Sequence, residues 1–149
     1  MSLILSLDST TSVCSVALHR NGKLLDTHYI SEPRAASSQL VLSAKNILEG
    51  NSIKISQVEA IAISSGPGSY TGLRISTSSA KGLSYALNVP LIAINSLLVL
   101  TYPLLSEFAS DLYCPMLDAR RMEVYCALLN SNLEFVTNIE AKEIGRAHV

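Results

Sequence analysis

The residues best suited to bind a ligand lie in a glycine-rich loop, which follows an apolar run and precedes a helical pattern. Residues 60–63 predict a strand, and the helix that follows the loop starts at Ser69 or Thr71 and ends at Asn88. Backbone amides that converge on a helix N-terminus bind anions, because unpaired donors and the helix dipole favour negative charge. The candidate anion or nucleotide loop comprises Gly66, Gly68, Ser69, Thr71, Gly72 and Arg74.

A purely structural turn accounts for the same glycines equally well, because a chain that reverses closely against a sheet needs them. The spacing differs from a Walker A loop, since no Gly-Lys-Ser/Thr follows the last glycine and Lys81 lies well into the helix. The ligand and the structural interpretations both remain open on sequence alone.

Other side chains give little support to metal or nucleophilic chemistry. The three cysteines form no CxxC pair, and His19, His28 and His148 share no ligand spacing. The sequence contains no HExxH motif, and no histidine is placed to serve as a base for a Ser or Cys nucleophile. We therefore predict no catalytic residue and no metal site on this chain.

Composition bounds the protein class. A chain of 149 residues with 48% hydrophobic and 15% charged residues suits a compact domain with a real core. A net charge of −1 argues against a large basic surface that would hold nucleic acid unaided. Neither a signal sequence nor a long apolar stretch is evident, which predicts a cytoplasmic protein without a membrane partner.

The elements that must position the loop follow from periodicity. Strands are predicted at residues 3–7, 13–18 and 23–30, and an amphipathic helix at residues 36–49. Beyond the central helix we expect a buried strand at residues 90–94, and a helix capped by Ser96 that Pro103 breaks before about Phe108. Two further strands are expected at residues 112–117 and 122–129. This order predicts an α/β fold with a mixed sheet and flanking helices.

Three stretches carry a family resemblance: residues 66–75 with 80–83, residues 5–18, and residues 118–125. They resemble the TsaB family, the bacterial partner proteins in tRNA threonylcarbamoyladenosine synthesis, and the resemblance extends over residues 3–130. It implies an actin-like, ribonuclease H-like fold of the actin-like ATPase superfamily. The acidic turn after the first strand, Asp8-Ser9-Thr10-Thr11, lacks the glycine of the phosphate loop in actin-like ATPases, which counts against ATP turnover.

The resemblance implies a non-catalytic scaffold that pairs with the paralogue TsaD and with the ATPase TsaE. ATP and a metal are then expected on those partner subunits, and tRNA contacts the chain only through the complex. Residues 35–38 stand where TsaD has metal-binding histidines, and they cannot hold a metal. The alternatives are a weak ATPase, a peptidase-like enzyme, or a homodimer that pairs through the same helices.

The two helices are predicted to supply the partner interface, because small residues on the second permit close approach and leucines give apolar area. The alternative is that these faces pack on the chain's own sheet. The predicted interface comprises Leu40, Ala44, Ile47, Leu48, Leu73, Ser76, Ala80, Leu83, Ser84 and Leu87.

The remaining expectations concern the second half. Residues 1–100 should form the first lobe and residues 101–142 the start of a truncated second lobe. Residues 143–149 are expected to be a non-native tail, since they back-translate to a common sequencing-adapter sequence. Within the third family stretch, Asp118, Arg120, Arg121 and Glu123 form a signature whose role stays open between a partner contact and a solvated turn.

Overall fold

A computed structural model of the chain describes residues 2–32 and 36–145. The chain divides into two compact units. The first comprises the residues up to Ser65 together with Ser69–Ile94, and the second comprises Gly66–Gly68 and the residues from Asn95 onward. The expected division into a first lobe at residues 1–100 and the start of a second at residues 101–142 stays a prediction.

The first unit is a five-stranded mixed sheet with two long helices. Its strands are β1 (Leu3–Asp8), β2 (Cys14–Arg20), β3 (Lys23–Ile30), β4 (Ala60–Ser64) and β5 (Leu91–Ile94), in the order β3-β2-β1-β4-β5. Strand β2 is antiparallel to both β1 and β3, whereas β4 is parallel to both β1 and β5. The helices are α1 (Ala36–Gly50) and α2 (Tyr70–Leu87), and a short 3-10 helix spans Ile55–Gln57. The predicted α/β fold is confirmed.

The core of this unit follows from alternation along β1 and β2. Every second residue is buried in both strands, and the register sets Leu5 opposite Leu18 and Leu7 opposite Val16. Strand β4, which lies between β1 and β5, is buried along its whole length. The apolar faces of α1 and α2 close over this set of side chains.

Six residues that were predicted to meet a partner lie in this core. Each is at most 3% exposed. They are Leu40, Ala44, Ile47 and Leu48 of α1 with Ser76 and Ala80 of α2. The prediction that they form a partner surface is wrong, because each helix has one apolar face and the chain's own sheet takes it.

The other four predicted interface residues are partly exposed. Leu83 and Leu87 pack against the core cluster, and the Ser84 hydroxyl donates to the Val89 carbonyl oxygen at 2.6 Å. Leu73 lies half-buried on α2. Their contact with a partner stays a prediction.

The predicted limits of α2 are confirmed. The Ser69 hydroxyl accepts a hydrogen bond from the Gly72 amide at 3.3 Å, as an N-cap does. At the other end Asn88 adopts a left-handed conformation with φ of 52°, and its amide donates to the carbonyls of Ser84 and Tyr85.

Strand β5 differs from its prediction as a buried strand. It is the edge of the sheet, and Ile92 and Ile94 are 39% and 41% exposed. An apolar run therefore marked a strand correctly but did not fix its burial, because burial depends on neighbours on both sides.

The second unit contains short helices and paired strands. Its helices are α3 (Ser96–Thr101) and α4 (Leu104–Glu107), separated at Pro103 as predicted. The N-cap of α3 is Asn95, whose side chain accepts from the Leu97 amide at 2.9 Å, and not Ser96 as predicted. Its strands are β6 (Leu112–Tyr113), β7 (Met116–Arg120), β8 (Glu123–Cys126), β9 (Leu129–Asn130) and β10 (Glu140–Glu143).

The two long strands expected here are each interrupted. Pro115 separates β6 from β7, because proline has no N–H to donate to a ladder, and the two segments pair with different strands. Strand β10 pairs with β8 and sets Glu143 opposite Glu123. The expected foreign tail thus begins at a paired residue, and its residues 146–149 lie outside the described part of the chain.

Candidate functional site

The backbone at the start of α2 lies so close to the turn after β1 that no residue with a Cβ atom would fit at Gly72. The Ser9 hydroxyl donates to the Gly72 carbonyl oxygen at 2.5 Å, and both residues are buried. A Cβ atom at Gly72 would lie 1.8 Å from the Ser9 carbonyl oxygen. Gly72 is therefore required for this approach and not for an unusual φ angle.

The Asp8 carboxylate, at the end of β1, is held by donors from its own chain. One oxygen accepts from the Thr10 amide at 2.9 Å and from the Thr10 hydroxyl at 2.8 Å. The other accepts from the Ser64 hydroxyl at the end of β4. Asp8 thus links the turn after β1 to β4. Both oxygens of its carboxylate already accept hydrogen bonds from the protein.

Several amides of the predicted anion loop already have acceptors within the protein. The Ser69 amide donates to the Thr10 carbonyl at 2.7 Å, and the Gly72 amide to the Ser69 hydroxyl at 3.3 Å. In the second unit the Gly66 amide donates to the Ser96 hydroxyl at 3.1 Å. Because these three amides already have acceptors, they are not free to bind a phosphate, which counts against the predicted anion site. Nucleotide binding by the loop stays a prediction.

Two glycines of that loop have positive φ angles, and two of its other members lie at the protein surface. Gly66 and Gly68 have φ angles of 103° and 155°, so glycine serves a backbone requirement there. Thr71 is exposed, and the Arg74 guanidinium stacks over the Tyr70 ring at 5.5 Å from its centroid. Arg74 therefore contacts the outer surface of α2 in the described structure.

The outward face of α2 carries aromatic and cationic side chains. Tyr70 is 75% and Tyr85 90% exposed, and Arg74, Ser78 and Lys81 are exposed between them. These five positions follow each other at intervals of three or four residues, which places them on one side of the helix. We call this set the outer face of α2; sequence reasoning missed it, although the tyrosines at this spacing were the available signal.

The family signature in the second unit forms a tight turn between β7 and β8. The Asp118 carboxylate accepts from the Arg120 amide at 2.8 Å, and Arg120 stands opposite Glu123 in the ladder. Arg120, Arg121 and Met122 all have positive φ angles, of 67°, 52° and 65°. The four signature residues are therefore brought together, at an exposed turn.

Two titratable groups among the described residues have shifted pKa values, and neither shift activates a nucleophile. Burial, and secondarily the nearby Asp8 charge, raises the pKa of the Cys14 thiol. Hydrogen bonds from the Asn51 side chain and then the Thr27 backbone lower the pKa of Asp26.

Among residues 2–32 and 36–145, no three His, Cys, Asp or Glu side chains lie close enough together to share a metal ion. No helix in the same ranges is long and apolar enough to cross a membrane.

The sequence has relatives of known family. Residues 31–148 match the family model TsaD, tRNA N6-adenosine threonylcarbamoyltransferase. The chain is 31% identical over 124 residues to the tRNA threonylcarbamoyladenosine biosynthesis protein TsaB of Escherichia coli, covering 83% of this chain and 53% of that protein. It is 30% identical over 122 residues to TsaB of Haemophilus influenzae, covering 82% of this chain and 51% of that protein. The chain thus spans about half the length of these curated relatives.

A solved structure agrees with the fold. YeaZ from Pseudomonas aeruginosa superposes with a TM-score of 0.86 at 32% sequence identity. The match covers all of this chain and 71% of that chain.

Proposed function

Because this chain belongs to the TsaB/YeaZ-like family and has its actin-like fold, we propose that it serves in tRNA threonylcarbamoyladenosine biosynthesis as a scaffold subunit. In this proposal it pairs with a TsaD-like transferase, and a TsaE-like ATPase joins the pair. ATP and a metal are bound by those subunits, and tRNA reaches this chain only through the assembled complex.

The outer face of α2 is the observation that carries the proposal. It combines two highly exposed tyrosines with two cations along a helix of 18 residues. At a rise of about 1.5 Å per residue the helix is about 27 Å long, enough to span a standard interface. Tyrosine and arginine are enriched in interface cores, where they give contact area and directed hydrogen bonds.

The family relation supports a partner that is itself a relative. The chain matches the transferase family model over most of its length, so both subunits would carry a helix equivalent to α2. Two homologous chains can pair through the same patch by an approximate two-fold axis, as identical chains do. A homodimer through this face is the corresponding alternative.

A catalytic role for this chain alone finds less support. The Asp8 carboxylate has three donors from its own chain, and the Ser69 and Gly72 amides have internal acceptors. A phosphate would have to break these bonds before it could bind at the start of α2. A weak ATPase therefore remains the second hypothesis, below the scaffold.

Co-purification with the transferase-like protein of the same organism tests the proposal. Tyr85→Arg should abolish the complex, and Tyr29→Arg is its matched control, because Tyr29 is 72% exposed on β3 in the same unit. Both variants should melt like the parent chain. Equal loss of pairing in the two variants would refute the assignment to α2.

An activity assay separates the scaffold from the enzyme. We expect tRNA modification by the other subunits to depend on this chain, and the isolated chain not to hydrolyse ATP. Full modification without the chain would overturn the scaffold role. ATP turnover by the chain alone would favour the enzymatic hypothesis.

A further inference from the structure

The arginine turn, residues 118–122 from the end of β7 to the start of β8, has a backbone that its own residues do not favour. Arg120, Arg121 and Met122 form a run of three left-handed residues with side chains. Elsewhere in the described ranges, non-glycine residues with positive φ occur singly, and two of the four are asparagines, Asn21 and Asn88. Left-handed backbone is unfavourable for residues with a Cβ atom, and asparagine or glycine takes it at lower cost.

A turn that only had to reverse the chain would be better served by asparagine or glycine. This one presents two arginines and a methionine to solvent, and Met122 is 60% exposed. The Asp118 carboxylate holds the Arg120 backbone amide at 2.8 Å. The fold therefore fixes the turn through its main chain and leaves these three side chains directed outward.

The two guanidinium groups have no ion-pair partner within residues 2–32 and 36–145. The two salt bridges found there join Lys45 to Glu49 and Lys142 to Glu140. Paired guanidinium groups are suited to bidentate contact with carboxylate or phosphate.

Local charge counts against the phosphates of a nucleic acid as the ligand of this turn. The three-stranded sheet that carries the turn, with the turn itself, holds three cations and four carboxylates. The cations are Arg120, Arg121 and Lys142, and the carboxylates are Asp118, Glu123, Glu140 and Glu143. Nucleic acid binding rests on several phosphate contacts from a positive surface, and this sheet has no excess of positive charge. The exposed Met122 also favours a partner with an apolar depression.

We propose that the arginine turn is a second docking element, which binds a carboxylate-bearing protein surface on the transferase-like partner and inserts Met122 beside it. This inference rests on the proposed function for the identity of the partner. It adds a contact from the second unit to the one assigned to α2 in the first.

The test is the affinity of the full chain for the transferase-like subunit, measured by calorimetry at low and high salt. The double variant Arg120→Asn, Arg121→Asn removes both charges and suits the left-handed backbone. We expect its affinity to fall at least about tenfold, with a weaker dependence on salt and an unchanged or higher melting temperature. The matched control is Arg20→Asn, Lys23→Asn, because these exposed cations also flank a hairpin turn.

Each outcome discriminates. An affinity equal to that of the control variant would overturn the inference and leave the pairing through α2 intact. Unchanged affinity for the subunit with weaker binding of tRNA to the assembled complex would assign the turn to nucleic acid and overturn it also. If the parent chain does not bind the subunit, the proposed function fails and this inference fails with it.

Discussion

Gly72 gives the sharpest test of how the first unit is built. In Gly72→Ala the new Cβ atom would lie 1.8 Å from the Ser9 carbonyl oxygen and 3.0 Å from its carbon. Non-bonded heavy atoms are attracted at about 3.5–4.0 Å, so the two segments must separate by about 1.5 Å. The obstructing atoms are buried main chain and cannot rotate away as a flexible side chain would.

The cost follows from two contributions. Overpacking a tight interior site destabilises by about 1–3 kcal/mol, and loss of the buried hydrogen bond from Ser9 to the Gly72 carbonyl adds about 1 kcal/mol. We therefore expect Gly72→Ala to lower the free energy of unfolding by about 2–4 kcal/mol. For a chain of this size that corresponds to a fall in melting temperature of roughly 5–15 °C.

Gly82→Ala in the same helix is the control. No atom lies within 4 Å of a Cβ at Gly82, and the position is exposed. Alanine should stabilise the helix there by about 0.5–1 kcal/mol, since it restricts the unfolded chain. Far-ultraviolet circular dichroism reports both variants, because α1 and α2 are the longest helices of the described chain. If Gly72→Ala proves as stable as Gly82→Ala, the close approach of α2 to the β1 turn is refuted.

Three further predictions follow from burial and charge. Ala80→Arg should unfold the first unit, because Ala80 is 0% exposed and a buried unpaired charge costs several kcal/mol. A variant that folds normally but does not pair would instead show that Ala80 belongs to the partner surface. Maleimide at pH 8 should label the exposed Cys114 first and Cys14 only on unfolding, since burial and a raised pKa disfavour the Cys14 thiolate; equal rates by mass spectrometry would contradict this. Asn51→Leu should raise the pKa of Asp26 towards its ordinary value, which nuclear magnetic resonance titration would show; an unchanged titration would contradict the hydrogen bond. Because the lowered pKa stabilises the fold above the unfolded pKa of about 3.9, and this stability is lost as the pH falls through the folded value, the variant should lose part of that contribution at neutral pH.

The sequence by itself determined the elements of the first unit and the family. Alternation predicted β1 and β2, and Asn88 marked the end of α2. These signals are local, because side-chain periodicity and turn chemistry depend on residues a few positions apart. The motif at residues 66–75 likewise needed only neighbouring residues to indicate the family.

Only the tertiary structure decided which face of each helix is available to a partner. Leu40 and Ala80 have the types expected of either a core or an interface, and their burial depends on the sheet that packs against them. The requirement for Gly72 depends on Ser9, which is 63 residues away in the chain. The run of left-handed residues at Arg120 arises from pairing between β7 and β8, whose register no local pattern specifies. These features depend on contacts between residues far apart in the chain, and a single sequence does not show which distant residues are in contact.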